Sequence, residues 1–240
     1  EIQVKKIEII QLCTEEYPIS KKDHGIDFLL DQRHLWLRSR RQWAIQRIRN
    51  TIINATFEHL NNEGYIKIDA PILTPNACEG TSELFEMDYF EDSKAYLTQS
   101  GQLYLEAAIY SVGKCFDFGP VFRAEKSKTS RHLTEFWMMD VETAFADHEE
   151  NMKIQERLIC YIIKSVLEKN LEELKVLERN IEPLQKIQAP FIHKTHAEAV
   201  KELQEMGSDI KADDDLGGDD DHGSIAAREH GEPVLGGRAG

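Results

Sequence analysis

Nowhere does the 240-residue chain carry an apolar run near the 18 or more residues that a membrane-spanning helix needs, and its first residues lack the pattern of a signal peptide. Cysteine is scarce. Cys13, Cys78, Cys115 and Cys160 lie far apart with no CxxC spacing, which argues against a disulfide framework or a thiolate zinc site and fits a reducing, cytoplasmic setting. Positive charge is also short: the net charge of −14 speaks against a broad non-specific nucleic-acid surface. That charge is unevenly spread. Ten acidic residues against three basic ones fall between Glu205 and Gly240, whereas Glu1 to Leu60 holds ten basic and eight acidic residues, so a local basic surface stays open there.

A hydrophobic content of 41% gives the chain enough apolar material for one sizeable core. Residues 1–10, EIQVKKIEII, read as a single strand, and Leu12 to Asp31, with a Pro, a Gly and mixed charges, as a linker. The sequence begins without Met, so a start inside a larger protein is expected. From Gln32 to Asn62 the apolar positions Ile45, Ile48, Ile52 and Ala55 recur at helical spacing, with Gly64 as a stop. The N-terminal half of this helix carries Arg33, Arg38, Arg40, Arg41, Arg47 and Arg49, which suit either a polyanion or plain solvent. Tyr65 to Thr74 reads as a strand whose prolines 71 and 75 confine it to an edge or a break in the ladder.

Ser100 to Gly113 has the cap and stop of a helix, Asp147 to about Leu177 is amphipathic, and Pro190 to Met206 reads as a strand entry followed by a helix. His193 and His196 form an H-x-x-H pair with no third ligand nearby and read as surface histidines. The tail from Gly207, with DDDLGGDDDH, is rich in Gly and Asp, poor in large apolar residues, and lacks calcium-loop spacing; it reads as disordered.

The most informative stretch is FGPVFRAEKSKTSRHLTEFWMMDVETAF, Phe118 to Phe145. Two segments of period 2 flank a basic loop, giving a hairpin with strands at Asp117–Glu125 and Glu135–Phe145. Alternation places Arg123 and Glu125 on one face of the first strand, and Phe136, Met138, Asp140 and Glu142 on one face of the second. Cations for phosphate, a ring for a base and carboxylates for an amine or a metal make a nucleotide-binding surface; an ordinary solvated hairpin is the competing reading.

FRAE, a basic loop, then RHLTEF and a strand ending in acids resemble motif 2 of the class II aminoacyl-tRNA synthetases, in the aspartyl/asparaginyl branch. The helix with GYIKIDAPILTP is similar to motif 1, the dimer element, with Pro71 at its proline. EIQVKKIEII resembles the last strand of the branch's OB-fold anticodon-binding domain. The resemblance implies an α+β fold, a class II antiparallel sheet flanked by helices, incomplete here. Its expected divisions are an OB-fold remnant at 1–11, a hinge at 12–31, a partial catalytic domain at 32–206 (motif 1 about 45–75, motif 2 about 117–145), and a tail at 207–240. A glycine-rich motif 3 and the family's magnesium-binding Glu and Ser are not found in this sequence, so a fragment with impaired activity is expected.

By resemblance, Arg123 is the catalytic residue, clamping the ATP α-phosphate and the amino-acid carboxylate. Glu125, Arg131, His132, Leu133 and Phe136 complete the expected ATP site, with Phe136 stacking on adenine. Glu79 of CEGTSELF pairs with the substrate ammonium, and Ser100, Gln102, Leu105 and Glu106 line the side-chain pocket. Aspartyl members place a lysine where Leu105 stands, while Glu106 offers an acceptor to an amide and repels a carboxylate, so asparagine is the expected substrate. The implied reaction uses ATP with Mg²⁺ and charges tRNA(Asn) in a homodimer. Two alternatives stay open: a metabolic paralogue that makes asparagine from aspartate, and a non-catalytic binding or regulatory module.

Overall fold

The computed structural model describes residues 3–12, 14–78, 83–90, 93–125, 133–208, 210–212 and 234–235. Its centre is the hairpin of β5 (Lys114–Phe122) and β6 (Glu135–Thr143), registered so that Asp117 faces Asp140 and Val121 faces Phe136. Because cross-strand partners share a face, Cys115, Asp117, Gly119 and Val121 lie with Phe136, Met138, Asp140 and Glu142. Phe116 and Phe118 go to the opposite side with Met139 and Val141. That apolar side makes the core: Phe116 packs with Leu60, Tyr65, Ile154 and Leu158, contributed by α3 (Arg40–Asn62), its outgoing turn and α5 (His148–Lys169). Phe57 of α3 meets Phe116 and Phe118 edge-on at centroid distances of 5.4 and 5.8 Å.

The expected helix from Gln32 is interrupted. A four-residue α2 (Arg33–Trp36) ends before Ser39, whose extended backbone and side-chain bond from Gln42 N (3.3 Å) restart the chain as α3. The expected hinge likewise contains a short helix, α1 (Ile26–Asp31). Of the stretch 1–10, read as a strand, the described residues 3–10 enter no ladder among the described residues. The Tyr65–Thr74 strand is also divided. β1 (Ile66–Lys67) runs parallel to β5, and β2 (Leu73–Thr74) joins a second sheet of order β2-β4-β3, with β3 at Glu86–Asp88 and β4 at Lys94–Leu97. Pro71 lies in the break, where a missing N–H does no harm.

Thr98 joins the two sheets: its N–H donates to Ile72 O (2.9 Å), and its carbonyl accepts from Phe122 N (2.8 Å). After β4 comes α4 (Gln102–Val112), which ends on Gly113 at φ +75°, a left-handed turn that feeds straight into β5. β5 therefore starts three residues earlier than its alternation suggests.

α5 is capped by Asp147, whose side chain accepts from Glu150 N at 2.8 Å, and is followed by α6 (Leu171–Val176) and α7 (Glu182–Gln185). β7 (Ile192–His193) pairs with β8 (Val234–Leu235), and α8 (His196–Glu205) opens on a Thr195/Glu198 capping box. The expectation of a loose tail from Gly207 fails at Ile210, which is 2% exposed and packs with Val200 and Leu203. Both histidines of the H-x-x-H pair are exposed, as expected, but His193 does have an acid partner: its Nε2 lies 2.5 Å from Oε1 of Glu156, a carboxylate 37 residues away in the sequence.

Candidate active site

The polar face of the β5–β6 hairpin is the floor of the site. Arg123 continues the β5 alternation beyond Phe122, and its backbone N–H still reaches across to Thr134 O at 3.0 Å. Its side chain therefore belongs on the same face as Phe136. Nη1 of Arg123 is buried and has no hydrogen-bond partner among the described residues, an arrangement that costs free energy until an anion occupies it. Glu125 and Leu133 lie exposed at the hairpin's open end, and Ala124 N donates to Glu83 O (3.2 Å). Glu79, Arg131 and His132 lie outside the described residues.

The start of α4 forms one wall. Asp140 Oδ2 accepts from Ser100 Oγ at 3.0 Å and from Gly101 N at 2.9 Å, and Ser100 Oγ accepts in turn from Gln102 N at 3.0 Å. The Ser100 hydroxyl, buried at 6% exposure, thus ties the helix to the floor. Gly101 is required there because a Cβ would come within 2.7 Å of Asp117 Oδ2. Gln102 is exposed and its amide donates to Glu106 Oε1 (3.1 Å). Leu105, expected to line the side-chain pocket, has no exposed surface, and its carbonyl lies 3.6 Å from Cys115 Sγ of β5.

Electrostatics divides the floor in two. Burial, and then the charge of Asp140, push the Asp117 carboxyl above the ordinary range, opposed by backbone hydrogen bonds at Phe118 and Ala70 and by Lys67, whose Nζ lies 3.9 Å away. Glu142 is pushed up by burial first, then by Glu106 and Asp140. One end thus offers a guanidinium and a ring, and the other a group of carboxylates. No trio of His, Cys, Asp or Glu among the described residues is placed to hold a metal ion.

Two participants were not singled out from the sequence. Asp117 follows from stepping back by twos from Arg123. Gln99, 2% exposed, accepts from Cys78 N (3.2 Å) and so fixes the chain entering the 79–82 segment; a buried Gln at the end of a short apolar strand is its only signal.

The sequence matches the family described as tRNA synthetases class II (D, K and N) over residues 25–228. The chain belongs to that family. Among solved structures it is similar to an asparaginyl-tRNA synthetase from Pyrococcus horikoshii complexed with asparaginyl-adenylate, at 37% identity and a TM-score of 0.90, covering 98% of this chain and 54% of that one. An Entamoeba histolytica asparaginyl-tRNA synthetase in complex with asparaginyl-adenylate matches at 30% identity and TM-score 0.76, over 92% of this chain and 49% of that one. An aspartyl tRNA synthetase from the same organism matches at 28% and 0.66, over 90% of this chain and 41% of the other. This class II chain thus spans about half the length of the structures it matches. The β5–β6 hairpin falls in the stretch expected to be motif 2, and α3 with β1 and β2 in the stretch expected to be motif 1.

Proposed function

We propose that this chain carries the ATP- and amino-acid-facing part of an asparagine–tRNA ligase. The observation that carries this reading is Arg123, whose buried Nη1 has no partner among the described residues and shares a face with Phe136. Arg123 holds the ATP α-phosphate and the amino-acid carboxylate together. An oxygen of that carboxylate attacks the α-phosphorus, the bond to the β-phosphate breaks, and pyrophosphate leaves with the electron pair. Arg123 stabilises charge that grows during this exchange, so positioning and charge compensation suffice without a protein nucleophile. Phe136 stacks on adenine, Glu125 meets its edge, Arg131 and His132 hold the outer phosphates, and Glu79 takes the ammonium.

Asparagine is favoured over aspartate by charge. Glu106, Asp140 and Glu142 leave no site for a second substrate carboxylate, and Leu105 supplies no cation. The adenylate is then passed to the terminal ribose of tRNA(Asn). Mg²⁺ accompanies ATP in this chemistry, and the described residues hold no group of His, Cys, Asp or Glu placed to bind it. A homodimer through motif 1 fits the exposure of Ile66, Ile72 and Leu73, at 50%, 45% and 44%.

Calorimetry with ATP, asparagine and aspartate tests the reading. The expected result is ATP binding and a clear preference for asparagine, both lost in Arg123→Ala. Preference for aspartate, or asparagine formation from aspartate, ATP and an amine donor, would favour the metabolic paralogue instead.

A further inference from the structure

Half of the chain's twelve arginines lie between Arg33 and Arg49, and from Gln32 to Phe57 there is no Asp, Glu or Lys. A protein of net charge −14 thus contains a run of formal charge +6. The run forms α2 and the first half of α3. Arg33, Arg38, Arg40, Arg41 and Arg49 are exposed, and among the described residues Arg47 is the one member of the six in an ion pair, to the buried Glu173 of α6. The Arg40 and Arg47 guanidiniums lie 4.1 and 5.0 Å from the centroid of the Trp43 ring, which stays 36% exposed between them.

Helix electrostatics opposes this placement. Arg40 and Arg41 open α3, where the unpaired N–H dipoles repel cations, and no acid accompanies them. α5, α6 and α8 obey the opposite rule, opening on Glu149 and Glu150, on Glu172 and Glu173, and on Glu198. The arginines therefore weaken the start of their own helix, and an anionic partner accounts for their presence. The use of arginine alone points to phosphate, which its fork binds in pairs of hydrogen bonds.

We propose that α2 and the N-terminal half of α3 form a docking surface for the phosphate backbone of RNA, apart from the Arg123 site. The proposal deepens the reading that this chain acts on a tRNA. Its test is fluorescence anisotropy of the whole chain with an unmodified tRNA transcript over a range of salt, comparing wild type with Arg38→Ala/Arg40→Ala/Arg41→Ala and the matching Lys triple. Each lost phosphate contact flattens the log–log salt dependence by about 0.7–0.9, so the Ala triple should lose about two in slope and at least about tenfold in affinity at low salt. The Lys triple should keep most of the slope, and Trp43 fluorescence should change on binding.

An unchanged slope in the Ala triple overturns the proposal. So does a triple that alters the oligomeric state while binding RNA normally, which would assign the face to a second copy, or displacement of the tRNA by phosphatidylserine vesicles at equal anionic charge. Calorimetry with ATP and asparagine on the same proteins separates the two readings. Loss of nucleotide binding in the wild type defeats the ligase assignment, whereas the salt slope alone decides the RNA surface.

Discussion

At the residue scale the site depends on close approach as much as on charge. Gly101 lets the start of α4 descend onto Asp140, and there is no room for a methyl group between it and Asp117. Gly101→Ala should cost about 1–3 kcal/mol in urea-induced unfolding, the usual range for overpacking a tight contact. If the proposed asparagine pocket is formed by Ser100 and Gln102, the same substitution should weaken asparagine binding, because that contact places both residues. Unaltered stability would mean that the helix can lift without loss. Leu105 shows how far a residue can be understood before the fold is known. Its chemistry, the absence of a cation, was legible from the sequence, but its complete burial depended on which side of α4 meets the sheet. Asp117 required the strand register, which alternation alone leaves ambiguous by a few residues at each end.

At the element scale, the hairpin and the Gly113 stop could be recognised in advance because each depends on neighbours a few residues apart, whereas the caps at Asp147 and Thr195, equally local, were not singled out from the sequence. The contacts that could not be recognised join distant segments. Glu156 of α5 is the clearest: 4% exposed, it accepts from Phe191 N at 3.2 Å and from His193, fastening the chain before α8 to α5. The His193 hydrogen bond, then the Phe191 N–H and the charges of His193 and Lys153, hold the Glu156 carboxyl below the ordinary glutamate range against the effect of burial. A depressed carboxyl stabilises the fold above its unfolded-state value, about pH 4.3, and loses that contribution as pH falls through the folded value. Glu156→Gln should therefore lose about 1–3 kcal/mol at pH 7 and converge with the wild type in acid. Denaturant melts at several pH values will check this; a constant difference down to strongly acidic pH would refute it.

At the scale of the whole molecule, apolar surface and charge are both distributed by region. Ile66 of β1, Ile72 just before β2 and Leu73 of β2 are exposed, as is Ile52 of α3 at 39%. Exposed apolar side chains on these segments suit burial against a second copy. Leu73→Glu should shift the chain toward monomer in sedimentation while leaving the monomer folded, since its side chain is already 44% exposed. Sedimentation identical to that of the wild type would remove motif 1 from the interface.

The link through Thr98 has a consequence for motion. Its N–H bonds to Ile72, just before β2, and its C=O to Phe122 of β5, so the two sheets cannot slide past each other without breaking one of these hydrogen bonds. In amide hydrogen exchange, Thr98 and Phe122 should open as one cooperative unit at a common rate. A ligand seated on the hairpin should then slow exchange at Thr98, in the stretch that leads into the amino-acid wall, without touching it.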